Sequence, residues 1–85
     1  MGWANEKALS SIDRLFLQGM IKHHEGAIGM AQDVATSQNK VVADLSASII
    51  KAQKLEIAAM EELLLKSWFK ENSPYKPERV GFRND

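Results

Sequence analysis

His23 and His24 stand side by side, with Met20 three residues before them and Met30 six residues after; a second stretch carries Gln53, Glu56 and Met60 at steps of three and four. Imidazole nitrogen with thioether sulfur is a donor set that soft cations accept, Cu(I) above all, while imidazole with carboxylate also suits Cu(II), zinc or iron. The chain has no cysteine, so thiolate sites and disulfides are excluded. Copper fits the set best. Neutral His and Met bring little charge beyond Glu56, which suits a monovalent ion that must leave again better than a permanent structural metal.

Other chemistries have less to stand on. There is no cysteine nucleophile, and no serine lies in a recognisable elbow or beside a His–acid pair. A ferritin-like di-iron centre, the enzymatic alternative, uses several inward glutamates and Glu-x-x-His pairs. Here Glu56 is the one helical glutamate expected to point inward, and no Glu-x-x-His occurs.

The elements that must position these side chains follow from the apolar spacing. Leu9, Ile12, Phe16, Met20, Ala27, Met30 and Val34 recur at helical steps, with Ser10 or Ser11 as cap and Asp13 in the first turn, which predicts helix one over about 9–37. Gly19, Gly26 and Gly29 inside it imply close approach of another helix, or slack that packing must offset. The polar stretch 35–39 ends in Asn39, a residue that tolerates the left-handed conformation closing many helices. Val42, Leu45, Ile49, Ala52, Ile57, Met60, Leu63, Leu64 and Trp68 then predict helix two over about 40–71, stopped before Pro74, with an extended tail over 73–85. No internal repeat or linker divides residues 1–85, which read as a single all-α domain, a long antiparallel hairpin.

On a helical wheel, Leu9, Phe16, Ala27 and Val34 set the inward direction of helix one; His23 falls within about 30° of it and His24 at its rim. In helix two, Gln53, Glu56 and Met60 project into the stripe of Ile49, Leu63 and Ser67, where a carboxylate is costly unless paired or coordinating. If the turn centres near Gln38 and Asn39, facing residue numbers sum to about 77, and the donors of both helices gather at one level. Ile50, Ile57, Leu64 and Trp68 lie off the stripe, a flank left for a partner. The expected assembly is a homodimer completing a four-helix bundle.

Length and charge agree. A chain of 85 residues buries only about 60% of its unfolded surface and usually needs a staple or a partner. Eleven basic and eleven acidic residues, scattered, leave no footprint for nucleic acid or an anionic membrane. The apolar runs are far below the roughly 18 residues of a membrane span. The start shows no signal peptide, so location stays open, as does removal of a leader.

Read as Asp13-x-x-Phe16-x-x-x-Met20-x-x-His23-His24-Glu25-Gly26-Ala27-Ile28-x-Met30-Ala31, followed by Ile49-Ile50-x-x-Gln53-x-x-Glu56-Ile57-x-x-Met60, the chain resembles the domain of unknown function 305 family over roughly residues 10–65. The resemblance implies a ferritin-like helical fold, in a family mostly exported or membrane-tethered, some of whose members bind copper through Met and His. Its carried-over metal ligands would be Met20, His23, His24, Met30, Gln53, Glu56 and Met60. It also implies a periplasmic or extracytoplasmic location if a leader was removed. A metal-binding role would call for a metal donor or acceptor protein as partner. The expected function is copper binding, storage or delivery, not catalysis. Two alternatives stay open: the di-iron protein, and a metal-free oligomerisation module in which a buried His bonded to Glu56 or Gln53 sets helix register.

Overall fold

A computed structural model of the chain describes residues 8–72 and places in them two packed α-helices, α1 over Ser11–Asp33 and α2 over Lys40–Asn72. No strand occurs among the described residues. The expected tail, 73–85, lies outside them. At the start of α1 the Ser10 hydroxyl accepts from the Asp13 N–H at 3.0 Å while the Asp13 carboxylate accepts from the Ser10 N–H at 2.9 Å, a reciprocal cap. The Ser10 backbone N–H, and then its side chain, hold the Asp13 carboxyl below the ordinary range.

That depression fixes a sign. A carboxyl with a lower pKa folded than unfolded adds stability above its unfolded value, about 3.9, and this contribution disappears as pH falls through the folded value. Acid titration of helicity is therefore expected to show fraying of the first turn of α1 below about pH 4, with the Asp13 carbon resonance as site-specific reporter. The Asp13→Asn protein should lack that step; an identical acid profile would remove the cap from the account.

α1 stops four residues short of the expected end. The N–H groups of Val34, Ala35 and Ser37 bond to the carbonyls of Ala31, Gln32 and Val34, so the chain tightens into i→i−3 turns. Asn39, expected to close helix one, instead opens the second. Its side-chain oxygen accepts from the Val42 N–H at 3.2 Å, an N-cap.

The seam between the helices runs through Leu17, His24 and Ala31 on α1, seven residues apart, and the buried and half-buried positions of α2 are Ala43, Ser46, Ile50, Gln53, Ile57, Met60, Leu63, Leu64 and Ser67, so that Leu63 and Ser67 keep their expected inward place. This corrects the wheel reading. Phe16 is 60% exposed and Leu45 58% exposed, whereas the flank Ile50, Ile57 and Leu64 is half-buried in the seam; Trp68 remains exposed. A wheel gives the centre of the whole apolar stripe, and one neighbouring helix covers only one edge of it. For the same reason the two histidines exchange places: His24 is buried and His23 is exposed.

Register is also displaced. Facing residues sum to 80 at His24–Glu56 and 81 at Arg14–Ser67, about one helical turn beyond expectation, because the turns after Asp33 carry the chain onward before α2 starts back. An added Cβ on Gly19, Gly26 or Gly29 would meet nothing within 4 Å, so close approach of α2 does not explain these glycines. Gly29→Ala is expected to raise stability by about 1 kcal/mol through helix propensity. Thermal unfolding checks it, and a lower midpoint would show that something covers this position.

Candidate metal centre

His24 is where the seam meets the open face of the hairpin. Its position in the Leu17–Ala31 heptad row buries it to 9% exposure. From α2, Glu56 lies on the open side, its side chain 59% exposed, and its Oε1 sits 2.5 Å from His24 Nε2. A proton must lie between them. When Nε2 carries it, Nδ1 is a bare lone pair, and this atom is buried without a hydrogen-bond partner. An orphaned buried nitrogen costs about 1–3 kcal/mol.

The pair opens into a groove of about 400 Å³ lined by Phe16, Met20, His24, Glu56, Ala59 and Met60. Imidazole, carboxylate and two thioethers thus line one space. Phe16 and Ala59 were not expected there as lining; they surround the polar atoms with apolar surface. His23 stands beside the site with its ring 6.3 Å from that of His24, edge to face, and points outward. Gln53 lies half-buried in the seam one turn from Glu56, outside the groove lining. Met30 is 75% exposed and does not line the groove. Of the seven expected ligands, four line one cavity, one adjoins it and two do not reach it. Among the described residues no three His, Cys, Asp or Glu side chains gather closely enough to hold a metal. Among the described residues a single copy therefore lines this groove with one imidazole, one carboxylate and two thioethers.

The family described as Domain of unknown function (DUF305) matches residues 4–64, which includes every residue of the groove. The chain belongs to this family. Comparison with curated proteins and with solved structures gave no match. The matched span contains both the two-histidine stretch of α1 and the Gln53, Glu56, Met60 stretch of α2, and the family's description assigns no activity. No helix among the described residues is long and apolar enough to cross a membrane.

Proposed function

We propose that this protein binds a soft metal ion, copper as Cu(I), for storage or delivery, with His24, Met20 and Met60 as donors and Glu56 orienting the imidazole. The observation that carries the reading is the buried, unpartnered Nδ1 of His24 on a ring whose other nitrogen is held by a carboxylate. Metal-bound histidines usually have a carboxylate or carbonyl on the far nitrogen, which fixes the tautomer and raises the basicity of the donor. Two thioethers lining the same groove favour Cu(I) over zinc or iron. His23, beside the groove, would serve as an entry ligand. The setting would be a ferritin-like four-helix bundle made by two copies, and the partner in the cell a metal donor or acceptor protein.

The direct His24–Glu56 bond also favours a second reading, a metal-free oligomerisation module in which the pair sets register. Anaerobic Cu(I) titration with metal analysis separates the two. Stoichiometric copper that is lost on His23→Ala with His24→Ala supports the first; no copper, or binding indifferent to both substitutions, leaves the second. Faster Fe(II) oxidation than in buffer would instead favour a di-iron protein.

A further inference from the structure

The hairpin has two broad faces of opposite character. On one, between Ile12 and Val34 of α1 and Val42 and Leu63 of α2, helical spacing places Ile12, Phe16, Ala27, Met30 and Val34 beside Leu45, Ile49, Ala52 and Ala59. Phe16, Met30 and Leu45 are more than half exposed. Within this face the ionisable side chains are His23 and Glu56, with Asp13 at its edge in the first turn of α1. The opposite face carries Gln18, Lys22, Glu25 and Gln32 with Lys51, Lys54 and Glu61, and the exposed Leu65 and Trp68 at the far end of α2. One apolar layer is open and one is solvated.

We infer that the open face is covered by a second copy of this chain, related by a two-fold axis that brings the two His24–Glu56 pairs to one level and makes the metal centre a shared one. The area suits such an interface. A strip as long as α1 and two helices wide covers on the order of 700 Å² per copy, close to the roughly 800 Å² per partner of stable interfaces. Among the described residues the buried core of one copy is small, with Leu17 and Ala31 as its buried apolar residues and no large side chain fully enclosed, so this face offers further apolar burial. A face that pairs with its own copy about a two-fold axis closes on itself and does not propagate.

Position decides what the pairing does. Glu56 is the midpoint of α2, Lys40–Asn72, and His23 and His24 lie within two residues of the midpoint of α1, Ser11–Asp33. A face-to-face two-fold axis, whether along the helices or across their middle, then sets both sites at the same height, with helix axes about 10 Å apart. One copy offers a single imidazole–carboxylate pair; two copies offer two such pairs and four thioethers in one dry core. Two carboxylates so enclosed repel unless a cation or imidazolium lies between them, so a bound cation and dimerisation favour each other. The shared site rests on the copper reading, whereas the covered face does not.

Native mass spectrometry and light scattering of the full chain at tens of micromolar, with and without Cu(I), test the face. The expected result is a dimer for the parent and for Leu65→Lys on the solvated side, and at least a 100-fold weaker dimer for Ile49→Lys. A monomeric parent, or dissociation by Leu65→Lys but not by Ile49→Lys, overturns the proposal. Should Ile49→Lys fail to fold, isotope-filtered NOEs in a one-to-one mixture of labelled and unlabelled parent protein decide it. Contacts from Leu45 and Ile49 methyls to the Phe16 ring or to α2 of the other copy support the face. Intermolecular contacts between Met20 or Met60 methyls and the other copy's groove residues support the shared level; contacts confined to Leu15 and Leu65 overturn both. A dimer that takes up no copper leaves the face standing and removes the copper reading; a copper-binding monomer does the reverse.

Discussion

His24→Leu is expected to lower Cu(I) affinity by about 100-fold or more while the metal-free protein melts at a higher temperature than the parent. The two effects have one source. His24 is buried in the seam, where a leucine of similar volume fits the heptad row of Leu17 and Ala31. The substitution removes an orphaned nitrogen, worth about 1–3 kcal/mol when buried. In the undimerised hairpin, at concentrations below those of pairing, Glu56 loses its partner but is more than half exposed and regains water, so its side of the bond costs little. A net gain of about 1 kcal/mol would raise the midpoint by about 4–8 °C in a domain of this size. Competition titration against a Cu(I) chelator and thermal melts of the metal-free protein give the two readings. Affinity within about threefold of the parent would take His24 out of the donor set. An unchanged or lower midpoint would mean that Nδ1 has found a water partner and carries no strain for a metal to relieve.

The hairpin was legible because its signals are local. The apolar residues of α1 and α2 repeat at helical steps, Ser10 or Ser11 with Asp13 in the first turn marks the start of α1, where the structure makes Ser10 and Asp13 a reciprocal cap, and the polar stretch before Lys40 marks the reversal. The convergence of Met20, His24, Glu56 and Met60 was legible too, since opposite residues on a hairpin are fixed by the turn to within about a helical turn. What the sequence does not carry is which edge of each stripe meets the other helix. His23 and His24 are about 100° apart on the wheel, and both lie within reach of an apolar stripe that is wider than one neighbour can cover. Only the hairpin packing chooses between them, and it buries His24. The role of Asn39 was similarly undetermined, because asparagine serves both at helix ends and at helix starts; the carbonyls of Ala31, Gln32 and Val34 are taken by i→i−3 turns, and Asn39 caps α2.

Leu17→Ala is the complementary case, in which the seam is weakened and the donor atoms are left in place. Leu17 is 7% exposed and is the largest buried apolar side chain among the described residues, so truncation is expected to cost about 2–4 kcal/mol. Against the few kcal/mol that a core of this size supplies, that loss removes most of the cooperative transition at physiological temperature. Cu(I) at about 100 times its dissociation constant returns about 2.7 kcal/mol to whichever state holds the site, because ligand that binds only the folded form stabilises it by mass action. Leu17 and His24 share one row of α1, and Glu56 comes from the other helix, so a site built from these groups exists only when the seam is closed. The copper-induced rise in melting free energy should therefore be equal in the parent and in Leu17→Ala, and absent in His24→Leu. Far-ultraviolet circular dichroism melts of the three proteins, with and without Cu(I) under anaerobic conditions, read all of these together. A Leu17→Ala protein that binds copper without regaining a cooperative melt would show that the donors gather before the helices pack, and that the metal is not a staple for this hairpin.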